Sequence, residues 1–422
     1  MLVIFMVILM QALITFFIQD FISDFNLYSF LLIFINFTMI SLYLFKRMKK
    51  EWLLLIYLGL IARVAIMLID IYIPNINIIG SGNDTEYFHN ASVSIANGSM
   101  HLSEGRTFYV NILSGFYYLF GGQRVLAQFM NILLWLFSAV YLYKAFLLFE
   151  VNRKITLLAL LIFTVLPNGM FMSSILLRES IIVFFIILSL YQFLKWMKTK
   201  EIKSYFFAIA FALMGMLFHA GMVGILLGYL FAFVFNSNQK KGSKRSNKLI
   251  YLLLIMVTLI FLFSNDDLFL SKFNSIQEDG VESLSISNRG GSAYLQNFSH
   301  YNGWQVFLLT PLKMIYFLFS PLPMDWRGMS DIVSFLFDSL IYLFLFVAIS
   351  IGFVKSSLDK KMKVTILVVL IISIFIYSYG TGNAGTAVRH RYKLMPLFLV
   401  AYGLLSKRNR YKKKKVEERY ES

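Results

Sequence analysis

Apolar residues fall along this 422-residue chain in long blocks, not in stripes. The stretches 249–263 and 332–354 are apolar on nearly every helical face, whereas a helix on the surface of a soluble domain repeats its apolar positions with a period near 3.6. Such blocks suit lipid and neighbouring helices. Dividing them at short basic loops predicts crossings at 2–18, 27–45, 52–71, 125–149, 155–167, 178–194, 205–218, 222–235, 249–263, 332–354, 364–379 and 389–405. The fold class is therefore all-α: a polytopic transmembrane helical bundle of about 12 crossings, with short amphipathic helices in its external loops. It occupies residues 1–406 as one domain, followed by a basic tail at 407–422.

Several of these segments, notably the pairs around Pro167 and Gly221, are shorter than the roughly 20 residues of a full crossing. Short helices predict a protein-lined or water-filled cavity, because lipid cannot satisfy unpaired backbone groups. Two apolar segments, 108–120 and 306–319, do not fit the alternation and are placed at the interface or as half-crossings. Two external loops are long, at 74–107 and 264–301.

Composition sharpens this picture. With 59% hydrophobic and 14% charged residues and a mean hydropathy of +0.71, the chain is no string of soluble domains. The net charge of +17 raises the question of nucleic acid, and the location of the charge answers it. Most of the 39 Lys and Arg lie in one alternating set of loops, at 46–50, 153–154, 195–203, 240–248, 355–363 and 407–419. That is the positive-inside pattern and excludes a nucleic-acid partner; it puts both termini in the cytoplasm of a multi-pass cell-membrane protein. The Ile, Phe, Asn and Lys usage points to an AT-rich bacterial genome. The absence of cysteine excludes disulfides and thiolate chemistry. Residues 2–18 lack a basic n-region and a small-residue cleavage site, so they read as an uncleaved first helix.

Four clusters carry candidate chemistry. In the first external loop, Asn83, Glu86 and the apolar Tyr87, Phe88, Ala91 and Ile95 describe an amphipathic helix with a capping box, closed by Gly98. Asp84 and Glu86 then either compensate the helix dipole or act as general base on an acceptor hydroxyl. His89 assists, joins both carboxylates around a divalent metal, or is structural, and the structural role is favoured for a lone His. Arg106 closes this loop as a candidate substrate ligand. At the hairpin 167–180, Arg178 and Glu179 sit at the membrane boundary and need partners. Arg63 and Asp70, two turns apart in one span, need partners of their own, and His219 reads as structural. The turn at 320–331 presents Asp325, Trp326 and Arg327, either as a belt tryptophan or as a sugar-stacking platform. Finally Arg389, His390, Arg391 and Lys393 enter the last span on its external side, against the positive-inside rule. Guanidinium forks suit phosphate, with snorkelling to lipid headgroups as the alternative.

The stretches NDTEYFHNASVSIANG, FYVNILSGFYYLFGGQRVLAQFMN, LPNGMFMSSILLRESIIVF, PLPMDW and RHRYKLMPLFLVAYG together resemble the GT-C class of membrane glycosyltransferases. They also resemble the neighbouring polytopic polymerases of bacterial surface polysaccharides. The resemblance implies a polyprenyl-phosphate-linked sugar as donor and a glycan or lipid as acceptor. It places Asp84 at the first-loop catalytic base, Glu179 at the polar hairpin tip, and Arg389 and Arg391 on the carrier phosphate. Relatives often carry an adjacent acidic residue where this chain has Thr85 and Glu86, so the base is Asp84 or Glu86. No cofactor is required by this reading, and a divalent metal at the external loop stays open. The expected function is transfer of a sugar or oligosaccharide from the carrier in surface-polysaccharide synthesis. A repeat-unit polymerase and a lipid-linked glycan flippase are the alternatives.

Overall fold

The computed structural model describes residues 25–47, 50–73, 82–105, 107–237, 292–295 and 304–406. The expected crossings at 2–18 and 249–263, Arg106, most of the loop 264–301 and the basic tail lie outside the described residues. The described chain is helical: α1 (Phe25–Arg47), α2 (Lys50–Tyr72), α3 (Asn83–Ala96), α4 (Phe108–Phe120), α5 (Arg124–Leu148), α6 (Arg153–Val165), α7 (Pro167–Ser174), α8 (Glu179–Thr199), α9 (Ile202–Met216) and α10 (Val223–Ser237). After the segment 238–303 come α11 (Trp304–Phe319), α12 (Met329–Ser334), α13 (Leu340–Lys355), α14 (Lys360–Tyr379) and α15 (Ala384–Leu405). Among the described residues, five stretches are long and apolar enough to cross a membrane: α2, α5, α8, the composite Met329–Lys355 and α14. Counting the bent pair α6–α7 as one span makes six. Of the other expected crossings, those at 27–42, 202–216 and 220–236 are shorter apolar helices, and α15 carries three basic residues.

The chain forms two compact units. Unit 1 comprises Met1–Tyr141 and Leu160–Phe184; unit 2 comprises Leu142–Ala159 and Phe185–Ser422. In unit 1, Tyr28 and Leu32 of α1 pack with Phe120 and Leu126, which brackets the α4–α5 turn. Arg63 on α2 is fully buried, and its partners explain how. The guanidinium lies 3.6 Å over the ring of Trp135, a cation–π contact that a dry site strengthens. Its Nε donates to Ser173 Oγ at 2.8 Å, and Nη1 donates to the carbonyls of Gly59 and Thr164 at 3.0 Å. The Thr164 carbonyl belongs to the last turn of α6, where the chain bends by 53° into α7 with Pro167 at its first turn. Arg63 thus supplies the donor that this broken helix lacks.

Unit 2 uses the same device. Helices α10 and α14 approach so closely that a Cβ on Gly224 or Gly228 would meet the backbone of Ser373 or Val369 at 2.9 Å. Arg391 of α15 is buried and donates from Nη1 to the carbonyls of Phe317, Leu318 and Ser320, at 3.2, 2.9 and 2.8 Å, closing the C-terminus of α11. Its Nη2 reaches Ser339 Oγ at 3.2 Å and pairs with Asp338. Both acceptors sit in a π-helical turn, Phe335–Ser339, between α12 and α13. The Tyr342 hydroxyl donates to the Arg391 carbonyl at 2.7 Å.

Breaking a buried ion pair from one side strands the other charge and costs about 3–5 kcal/mol. Arg391→Met, which also strands three carbonyls, is expected to lower the thermal midpoint of the detergent-solubilised protein far more than Asp338→Asn. Equal midpoints for Arg391→Met and the parent would contradict this role.

Candidate functional site in unit 1

The amphipathic helix expected in the first loop is α3, with a different cap. Gly82 is the N-cap residue, at φ +147°, a conformation that L side chains rarely adopt. Thr85 Oγ1 accepts from the Gly82 N–H at 3.0 Å and donates to the Gly82 carbonyl at 2.8 Å. The expected capping by Glu86 is therefore replaced by Thr85, which leaves the Glu86 carboxylate to point elsewhere. Asp84, in the same first turn, is exposed.

Glu86 reaches Arg124 at the start of α5: Arg124 Nη1 donates to Glu86 Oε1 at 2.5 Å. The other arm of the guanidinium, Nη2, meets Asp70 Oδ2 at 3.3 Å, and Gln128 Nε2 donates to the same oxygen at 2.8 Å. Asp70 has a side chain only 2% exposed, against 18% for Arg124 and 54% for Glu86. This difference decides which link matters. Removing one partner of a buried pair costs about 3–5 kcal/mol, while a solvent-exposed pair contributes roughly 0–1 kcal/mol. Asp70 and Gln128 therefore fix the guanidinium, and the fixed guanidinium orients Glu86 and with it the start of α3.

A second chain of polar contacts runs below α3. His89 Nδ1 lies 2.9 Å from the Tyr117 hydroxyl, and Phe88 packs edge-on against Tyr109 with ring centroids 5.1 Å apart. Burial pushes the Tyr109 and Tyr117 phenols up, so both keep their protons; Asn131 pulls Tyr109 down and Glu179 pushes it up. Asn131 Nδ2 donates to the carbonyls of Ile175 and Leu177, at 2.8 and 2.9 Å. That pins the α7–α8 turn on which Arg178 and Glu179 sit. Glu179 is fully buried, whereas Arg178 is half-buried and its Nε has no hydrogen-bond partner among the described residues. Sequence reasoning asked for partners for Asp70 but missed Arg124, Gln128, Asn131 and Tyr117. One signal was present: Arg124 is a cation in the first turn of a helix, where the dipole disfavours it unless anions lie near.

The remaining candidates belong to unit 2 and are largely used internally. Arg391, expected on a carrier phosphate, has its terminal nitrogens engaged on the α11 carbonyls, Ser339 and Asp338; Lys393, expected beside Arg389, is fully buried. Arg389 is half-buried at the entry of α15, whose N-cap Asn383 accepts from the Thr386 N–H at 2.8 Å. His390 Nε2 lies 3.3 Å from His219 Nε2, and its Nδ1 lies 3.1 Å from Thr381 Oγ1. Because His219 Nδ1 accepts from the Gly221 N–H, its neutral ring carries the proton on Nε2 and donates to His390, which in turn donates to Thr381. The expected sugar platform is tied down: Trp326 donates to the Pro321 carbonyl at 3.2 Å and packs against Phe335, while Arg327 forks onto Asp331 at 3.1 and 3.2 Å. Beside them, Asp325 is exposed, and residual burial pushes its carboxyl up while Arg327 pulls it down.

Among the described residues no group of three or more His, Asp or Glu converges as a metal site. The divalent-metal reading of Asp84, Glu86 and His89 is corrected accordingly: Glu86 turns to Arg124 and His89 to Tyr117.

Residues 96–264 match the family model described as dolichyl-phosphate-mannose-protein mannosyltransferase. No curated protein and no solved structure matches the chain. The match supports the resemblance to GT-C glycosyltransferases, and it covers less than half of the 422 residues. It begins at the end of α3, so it takes in Arg124, Asn131, Arg178 and Glu179 and leaves out Asp84 and Glu86.

His89 lies below its ordinary value of 6.5, first through burial and then through Arg124, with Glu86 acting in the opposite direction. The unfolded ring thus binds its proton more readily than the folded one. Stability from this site is complete above pH 6.5 and declines as pH falls through the lower folded value. Amide protection factors in α3 and α4, referred to the intrinsic exchange rate at each pH, are expected to fall below pH 6.5, and His89→Gln is expected to flatten that dependence. An unchanged pH profile in His89→Gln would contradict the assignment.

Proposed function

We propose that the chain is a membrane glycosyltransferase that moves a sugar or oligosaccharide from a polyprenyl-phosphate-type carrier to a glycan or lipid acceptor in cell-surface polysaccharide synthesis. The observation that carries this reading is an exposed carboxylate, Asp84, on a helix whose start is held by the Glu86–Arg124–Asp70–Gln128 network. The match of residues 96–264 to a family of mannosyltransferases named for a dolichyl-phosphate-linked donor supports the donor class.

The chemistry follows from these roles. Asp84 takes the proton from the acceptor hydroxyl, the acceptor oxygen forms a bond to the anomeric carbon, and the bond from that carbon to the carrier phosphate oxygen breaks. The leaving phosphate carries away the electron pair and needs a cation. Arg178 takes that role because it lies in the same unit and keeps donor capacity, while the buried Arg391 spends its own on carbonyls. Asp84 serves as base because it is exposed on the first turn of α3, the turn that Glu86 orients through Arg124. Arg63 and Asp70, the intramembrane charges that should matter most to a flippase, are each tied to protein partners, which favours transfer over translocation.

A positioned general base contributes about 10²–10⁴ in rate. In nanodiscs supplied with polyprenyl-phosphate hexose, Asp84→Asn is expected to lower kcat by that order with the donor KM little changed. Arg178→Ala is expected to raise the donor KM and lower kcat together. Full turnover by Asp84→Asn at normal expression would sink the proposal.

A further inference from the structure

Unit 1 holds a pocket that none of these roles uses. It lies between the end of α3 and the α4–α5 turn, has a volume of about 330 Å³, and is lined by Asn97, Tyr117, Tyr118, Gly121, Gly122 and Gln123, with Ala96 at its edge. The size falls at the lower end of small-ligand sites, roughly 300–1,000 Å³. The rim is fixed by backbone. Gly121 has φ +80°, and a Cβ on Gly122 would meet Val93 Cγ2 at 3.3 Å, so the turn fits closely against α3. The Tyr117 ring at the floor is held by His89.

The lining is selective. It contains no Lys, Arg, Asp or Glu, so a phosphate finds no counter-ion there. Tyr118 is 78% exposed, beside the buried Tyr117 and Phe120. An exposed flat ring suits the apolar C–H face of a pyranose. The Asn97 and Gln123 amides each offer a donor and an acceptor, the pairing that a sugar hydroxyl satisfies.

Position completes the argument. At 1.5 Å per residue, Ala96 lies about 18 Å along α3 from Asp84. That is too far for the reacting hydroxyl and suited to a ring several sugars away from it. We propose that this pocket is a distal acceptor subsite that binds a neutral sugar ring of an oligosaccharide. The inference rests on the glycosyl transfer proposed above and narrows its acceptor to a glycan chain.

The test uses the full chain in nanodiscs, with neutral hexose mono- and trisaccharides of gluco, galacto and manno configuration and a threonine-rich peptide as probes, read by saturation-transfer NMR. At least one trisaccharide is expected to bind the parent more tightly than its monosaccharide. Tyr118→Ala and Gln123→Ala are expected to weaken it roughly tenfold, and Asp84→Asn is expected to bind it as the parent does. Because Tyr118 is exposed, its truncation leaves the packing intact, which an unchanged thermal midpoint checks. Three outcomes would each overturn the subsite: no trisaccharide binding by the parent, undiminished binding by Tyr118→Ala, or binding of the peptide alone that depends on Tyr118. Turnover by Asp84→Asn reports separately on the transfer reaction, so the two failures are distinguishable.

Discussion

The site in unit 1 depends on a single guanidinium being shared between two carboxylates of unequal exposure. Arg124 meets the nearly buried Asp70 with one nitrogen and the half-exposed Glu86 with another. The buried arm is fixed because an unpaired Asp70 there would be costly. The exposed arm, weak by itself, acquires direction from the fixed one. In this way α3, a short helix of weak amphipathic character, is held at its start by charge as well as by packing. Asp84 in the same first turn inherits that orientation.

Three arginines illustrate how an apolar protein uses the guanidinium. Arg63 and Arg391 are fully buried and donate to carbonyls at helix ends, one at the α6–α7 bend and the other at the end of α11. Their five fixed donors suit several converging carbonyls. Arg124 lies nearer the surface and spends its donors on carboxylates. In a medium that leaves no backbone group to water, the first two jobs are structural necessities. The third is available for orienting the start of α3.

The hydrophobic blocks made the helical membrane class legible because transfer into an apolar phase is a nearly additive property of each residue. The number of crossings was less legible, since α9, α10 and α7 are short and their ends are completed by contacts the sequence does not display. The need of Asp70 and Arg63 for partners could be read from burial cost alone. Who the partners were could not, because Arg124 and Gln128 lie more than fifty residues from Asp70. At α3 the sequence offered two cap residues three apart, Asn83 and Glu86, and the backbone used Gly82 and Thr85 instead. The cations of α15 were legible as an anomaly, but a phosphate grip and a helix cap require the same guanidinium, and only the carbonyls of α11 distinguish the two for Arg391.

A double-mutant cycle on turnover, with Glu86→Gln, Arg124→Met and the pair, tests the claim that Glu86 acts only through Arg124 to orient α3. The account predicts that the pair loses kcat by the same factor as Arg124→Met alone, with the donor KM unchanged by Glu86→Gln. Losses that multiply, each substitution lowering kcat independently of the other, would contradict it.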